Sequence, residues 1–340
     1  MKVLTARAAA LRLGLLAALL LGSIVLGLAA GPSSLAPGEA LRALFASDAA
    51  GPAADIALRV RLPRVLLAAA VGAALAVAGA LFQALLRNPL ADPYVLGVSG
   101  GAAVGGILAL SLGSALGWGA AAVTPAAFAG ALVTTAALYA VAAVRGRVSS
   151  THLLLTGVVF NAFASAGIVF VASLAGLSEG TSLFLWLIGS LSAVRTEAAP
   201  LVAAFLALGL GCALPLLRDL DLLSLGEESA AQLGVDVTRL QRVLLLSTSL
   251  MVGAAVSVAG LIGFVGLIVP HLLRLRLGPD HRLLVPASAL GGAAFLVLCD
   301  TAARTVLGGR ELPVGAITAL AGGPLFLYLL RRQHLQSGTP

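Results

Sequence analysis

Charge is scarce in this 340-residue chain: 21 basic and 14 acidic residues make up 10% of it, against 60% apolar residues. Soluble domains carry about 25% charged residues, so water is excluded as the solvent for most of the surface. Lysine is scarcer still, with Lys2 alone. A Gly-x-x-x-x-Gly-Lys-Ser/Thr loop needs its lysine to reach the nucleotide phosphates; no such string exists, and any ATP hydrolysis belongs to another chain. The two cysteines, Cys212 and Cys299, lie in separate apolar runs without metal or disulfide spacing and read as buried structural thiols. The net charge of +7 falls in short clusters between apolar runs, which excludes a nucleic-acid surface and fits a protein oriented in a membrane. Forty glycines would weaken a soluble helical protein; in a membrane they let helix backbones approach closely.

What is abundant is apolar sequence in runs near the ~20 residues that cross a bilayer. They lie at 13–30, 65–86, 94–112, 121–144, 153–174, 200–217, 240–259, 283–307 and 314–330. The first follows Lys2, Arg7 and Arg12; its 18 residues exceed the ~7–15 of a cleaved signal core, and it reads as an uncleaved span. A single helix over 240–273 would be about 50 Å long at ~1.5 Å per residue, far beyond ~30 Å of hydrocarbon. Gly260 and Gly263 offer a break, which makes 263–273 a short tenth helix. With the N-terminus cytoplasmic, 14 of the 21 basic residues fall inside, as the positive-inside rule asks. The expected architecture is one all-α polytopic membrane domain over 1–340, with about ten transmembrane helices and both termini inside. Residues 71–79 recur at 252–260 with seven of nine positions identical. On this topology the copies run in opposite directions, the inverted repeat of transporters with a central pathway.

Several polar segments interrupt the runs. Residues 218–239 form the longest cytoplasmic one. Within it Gly226 to Val235 reads as a short amphipathic helix with Ser224 as N-cap, Glu227 and Glu228 near its positive end, and Gly234 as C-cap. Connectors need only ~2–8 residues, so a segment this long suggests a docking platform. Residues 87–93 carry Pro89 and Pro93, which enforce a rigid turn. Beyond it, Gly97, Gly101 and Gly105 line one helix face for close packing.

The same stretch spells Gly97-Val98-Ser99-Gly100-Gly101, a Gly-x-Ser-x-Gly pattern. It raises the alternative of an intramembrane serine protease using Ser99 with His152 or His271, both of which read as interfacial. On the outer side, Arg59, Arg61 and Arg64 cluster before the second span, and Asp300 and Arg304 are spaced i, i+4. Positive charge there runs against the positive-inside bias, and an acidic external partner would account for it. Residues 183–191 are too short to cross and fit a helix at the outer mouth, while Asn161, midway along the fifth span, either ties two helices or lines the pathway.

Taken together, Arg61-Leu62-Pro63-Arg64, the turn 87–93, Gly226-Glu227 with Leu233-Gly234-Val235, residues 263–271 and 278–282, Asp300 to Arg304, and Glu311-Leu312-Pro313-Val314-Gly315 closely resemble the iron-complex and cobalamin (FecCD-type) permease family. These are the membrane subunits of type II ABC importers. The resemblance runs in the family's order from about residue 60 to 330 and implies a non-enzymatic permease in a bacterial or archaeal plasma membrane. It would pair with a second copy or a paralogue and with two cytoplasmic ATPase subunits that bind the ATP and Mg. It would receive an iron–siderophore, haem or cobalamin from an external binding protein. By position, the resemblance implies that Arg61, Arg64 and Arg304 meet glutamates of that binding protein. It likewise implies ATPase coupling through Ser224, Gly226, Glu227, Ala230, Leu233 and Gly234, and a cytoplasmic gate at Asn88, Pro89, Leu90, Ser149, Ser150 and Thr151. An ion-coupled secondary transporter is the second alternative; it needs an acid deep in the pathway, and Asp300, near an outer end, is the only carboxylate inside the marked runs.

Overall fold

The computed structural model describes residues 6–31, 38, 51–94, 97–117, 120–144, 147–148, 150–174, 186–192, 196–307 and 311–337. Among the described residues twelve α-helices of six residues or more carry the fold: α1 (Ala6–Ala29), α2 (Leu62–Leu85), α3 (Val98–Leu116), α4 (Val123–Ala142), α5 (Ser150–Leu174), α6 (Ala198–Ala213), α7 (Leu217–Leu223), α8 (Glu227–Gln232), α9 (Val237–Ala259), α10 (Val265–Leu277), α11 (His281–Thr305) and α12 (Val314–Ser337). A π-helical turn, Ile56–Arg61, leads into α2, and a two-residue ladder pairs Ala143 with Val148 and Val144 with Arg147 between α4 and α5. Among the described residues seven helices are long and apolar enough to cross a membrane, and Val98–Gly113 and Val314–Tyr328 are shorter apolar helices. With α10, every expected run holds a helix. The boundaries shift: α1 begins at Ala6 and so includes Arg7 and Arg12, because a helix can continue past the bilayer edge with its basic side chains in the headgroup region.

Helix α2 is the axis. Almost every residue from Arg64 to Leu85 is buried, and α11, α9, α10 and α6 all pack on it. Its Ala/Gly composition permits this, since a side chain of any size would push the neighbours away. A Cβ on Gly72 would sit 2.3 Å from the Gly292 carbonyl of α11, and one on Gly292 would sit 2.3 Å from the Gly72 carbonyl. Gly79 meets α10 in the same way, its would-be Cβ only 1.8 Å from Gly266 O. Helix α1 lies outside α11, while α5 packs on α3 and α4 and turns Val159, Phe163 and Phe170 outward. Cys299 is buried, but Cys212 points outward from α6, contrary to expectation; an apolar surround gives a thiol no reason to turn inward.

The break in 240–273 is real, but its pivots differ from those expected. Helix α9 ends at Gly260 with φ +70°, whereas the second left-handed residue is Phe264 (φ +68°), not Gly263. The Phe264 backbone N–H lies towards the Asp92 carboxylate. Within α10, Pro270 has no N–H to give the Gly266 carbonyl one turn earlier. Gln83 of α2 supplies the missing donor, its Nε2 lying 3.2 Å from Gly266 O and 3.1 Å from Leu267 O. Residues 186–190 close over this break: Leu261 N donates to Trp186 O at 3.4 Å and Ser190 N to Ala259 O at 2.9 Å. Of the expected mouth helix, residues 186–188 are helical and 183–185 lie outside the described residues.

Candidate functional site

Two polar constellations sit at opposite ends of the chain's spans. The first, at the end read above as external, begins with α1. A helix leaves its last four carbonyls unpaired and carries partial negative charge at that end. Two arginines cap it: Arg61 Nη1 donates to Leu28 O at 2.8 Å and Ala29 O at 3.1 Å, and Arg304 Nη2 to Gly27 O at 3.2 Å. Arg304 Nε also lies 2.9 Å from Asp300 Oδ2, the i, i+4 pair that the spacing suggested. Arg64 bridges two acids, with Nε 3.0 Å from Asp300 Oδ1 and Nη1 2.8 Å from Glu311 Oε2. Leu312 N binds Ala303 O at 3.0 Å and fixes the loop that carries Glu311.

The three arginines that the resemblance assigns to docking are therefore brought together, yet each is buried, with 3–6% exposure. Their donors engage acceptors within the chain. Tertiary pairing explains how positive charge is tolerated on this side. Arg59, by contrast, is exposed and pairs with Asp55 at 3.0 Å. In the sequence Glu311 stands only as the first residue of a motif; its pairing with Arg64 requires 247 residues of separation to be closed, which no local signal reveals.

The second constellation, at the end read above as cytoplasmic, is built on α7 and α8. Leu217, Leu220 and Leu223 are buried, one face of α7 at helical spacing. Ser224 is not the N-cap of the next helix: it closes α7, its Oγ donating to Asp221 O at 2.6 Å. Gly226 takes the N-cap place with φ +111° and ψ 154°, a conformation open to glycine. At the far end Val235 N donates to Ala230 O and Gly234 N to Ala231 O, each at 3.0 Å, with Gly234 at φ +89°. That is a Schellman stop, with Ala230 and Val235 buried beneath it and Leu225 and Leu233 exposed.

The platform is tied to the spans at two points. Arg87 Nη2 lies 3.3 Å from Glu227 Oε1. Asp221 Oδ1 accepts from His281 N at 3.1 Å and meets His281 Nδ1 at 2.5 Å. Beside α8 a cleft of about 420 Å³ is lined by Glu227, Glu228, Gln232 and Asp236.

The turn after α2 is fixed by its own side chains. Asn88 Oδ1 accepts from Leu90 N and Asp92 Oδ1 from Tyr94 N, both at 2.9 Å. Leu90 is exposed, and so is Thr151 at the start of α5; Ser149 lies outside the described residues. Asn161 of α5 donates from Nδ2 to Tyr94 O at 2.9 Å and stands over Gly100, whose would-be Cβ would lie 2.6 Å from Asn161 Oδ1. The Gly-x-Ser-x-Gly string serves packing: Gly97 begins α3 at φ +84°, and a Cβ on Gly101 would lie 1.9 Å from Thr134 Oγ1. Ser99 and His271 are buried, and His152 is exposed on α5.

Burial pushes the Asp92 carboxyl up to about 6, against the N–H groups of Tyr94 and Phe264, which hold it down. The folded chain thus holds this proton more tightly than the unfolded chain. The resulting stability is full below pH about 4 and lost as pH rises through about 6, up to about 3 kcal/mol at ~1.4 per pH unit. Thermal unfolding in detergent from pH 4 to 8 should show this slope, and Asp92→Asn should flatten it.

Comparison with known proteins agrees with these motifs. Residues 19–332 match the model of the FecCD transport family. The cobalamin import system permease of Halobacterium salinarum is 46% identical over 278 residues, 82% of this chain and 74% of that protein. The hemin transport permease of Yersinia pestis is 45% identical, covering 82% of this chain and 84% of its own length. The vitamin B12 permease of Citrobacter koseri is 40% identical, covering 94% and 93%. A solved inward-facing structure described as a metal-chelate type ABC transporter superposes with a TM-score of 0.82 at 31% identity, covering 95% of this chain and 99% of that one. With its multi-pass helical fold and its shared motifs, the chain belongs to the FecCD transport family, whose members are transport subunits rather than enzymes.

Proposed function

We propose that this chain is the permease of an ATP-driven importer that carries a large metal chelate, cobalamin or haem, into the cytoplasm. The observation that carries the proposal is 45–46% identity, over more than four-fifths of the chain, to permeases named for those two cargoes. Two copies, or a copy and a paralogue, would surround the pathway, with both termini inside and an inverted repeat relating 71–79 to 252–260. The α7–α8 platform suits docking on a separate ATPase. It is rigid, it presents Leu225 and Leu233 outward, and through Arg87 and His281 it is joined to the elements that would move. Ser224, Gly226, Glu227, Ala230, Leu233 and Gly234 make up this coupling surface, and Asn88, Pro89, Leu90, Ser150 and Thr151, with Ser149, the cytoplasmic gate.

On the outer side, Arg61, Arg64 and Arg304 would receive carboxylates of a binding protein, by the planar fork that suits them to such groups. Asn161 fits a helix tie better than a cargo contact, given its bond to Tyr94 O. Ion coupling is disfavoured because Asp300 is held between two guanidinium groups. The test is reconstitution with the ATPase and binding protein in liposomes, followed by uptake of labelled cobalamin and of haem. ATP-dependent uptake of one cargo, unaffected by protonophores, is expected; uptake that follows an ion gradient without ATP would overturn the proposal.

A further inference from the structure

The outer cluster holds three arginines and two carboxylates, and the two acids are not equivalent. Asp300 has 1% of its side chain exposed and lies between Arg64 and Arg304. Removing it would leave two buried cations facing one another. Glu311 has 38% exposed and, among the described residues, forms its ion pair with Arg64. Its departure would uncover Arg64 Nη1, while Asp300 would still hold Arg64 Nε in place. The described cluster carries one positive charge in excess, so an arriving carboxylate is attracted before any bond forms.

From this asymmetry we propose that Glu311 holds, on Arg64, the place of the carboxylate that an acidic docking protein brings. The inference rests on the arginine-docking reading above. One carboxylate replaces another on the same guanidinium, so Arg64 never loses its counter-charge, and the exchange avoids the cost of stranding a buried ion. The released Glu311 side chain moves into water, where it was already partly solvated. Its loop then reports the event inward. Gly315 N donates to Gly189 O at 3.2 Å, and a Cβ on Gly315 would sit 1.8 Å from Ile188 O. The same outer segment closes over Gly260 and Leu261 at the head of α10. Docking is thereby coupled to the α9–α10 break through main-chain contacts.

The experiment uses the complete transporter, permease with ATPase, in nanodiscs, and measures affinity for its purified binding protein over a range of NaCl concentrations. Glu311→Gln removes the competing charge and keeps the shape. It is expected to tighten docking about three- to tenfold and steepen the salt dependence. Arg64→Lys keeps the charge but loses the fork; it should weaken docking about tenfold, and in that background Glu311→Gln should change affinity less than about twofold. Arg59→Gln, at an exposed pair outside the cluster, should have little effect. If Arg64→Lys weakens docking but Glu311→Gln does not tighten it, the placeholder role is wrong and the docking reading survives. If Arg64→Lys binds like the unaltered protein, or Arg59→Gln weakens docking as much, the arginine reading fails and takes this inference with it.

Discussion

Replacing Asp300 with alanine should all but abolish recovery of folded permease. The carboxylate is buried and is the shared anion of Arg64 and Arg304, at 3.0 and 2.9 Å. Breaking a buried pair by removing one partner costs about 3–5 kcal/mol, because the other charge is stranded. Here Arg304 would be left without a carboxylate and Arg64 would keep only Glu311; Arg304 helps cap α1, and Asp300 joins α2 to α11 through Arg64. Asp300→Asn keeps an acceptor and should be milder. Asp55→Ala removes the partner of exposed Arg59 and should change stability by less than about 1 kcal/mol. Detergent-solubilised yield and melting temperature on a sizing column check all three. An Asp300→Ala protein that melts like Asp55→Ala would show that the cluster holds nothing together.

Gly226→Leu should reduce ATP-driven uptake at least tenfold while the membrane portion stays folded. The reason is backbone strain and not crowding. Gly226 sits at φ +111° and ψ 154°, yet a Cβ there would meet nothing closer than Arg87 Nη1 at 3.8 Å. A residue forced into such a region costs about 1–3 kcal/mol, and the cheapest relief is to re-aim α8. That helix is six residues long and anchored at its other end by the Gly234 stop, so it would swing away from the ATPase. Gly226→Ala should show the same loss in smaller degree, and the ATPase should co-purify less well in both. Normal uptake by the leucine variant would remove α8 from the coupling path.

Gly79 illustrates how far the sequence could be read and where reading stops. That residues 65–86 cross a membrane follows from their composition, because hydrocarbon demands apolar side chains and an internally bonded backbone. That this helix is the buried axis does not follow: its Ala/Gly pattern resembles that of α3 or α4, and only the approach of Gly266 and Gly292 distinguishes it. Helix positions, the break after Ala259, the i, i+4 pairing of Asp300 with Arg304, and the short helix with its Gly234 stop are all legible, since each depends on residues a few positions apart. The N-cap was misplaced by two residues, at Ser224 instead of Gly226, because a serine that closes one helix looks the same as one that opens the next.

The sequence by itself determined the solvent, the helices and the family, because length, hydrophobicity and motif order are local or cumulative properties of the chain. Only the tertiary structure decided which charges are satisfied and by whom. Arg64 finds Asp300 and Glu311, Gln83 finds the carbonyl freed by Pro270, and Asp92 finds Phe264 across separations of more than 170 residues. In a medium without water each buried polar group must find a partner inside the protein, and helix packing, which no local pattern encodes, chooses that partner.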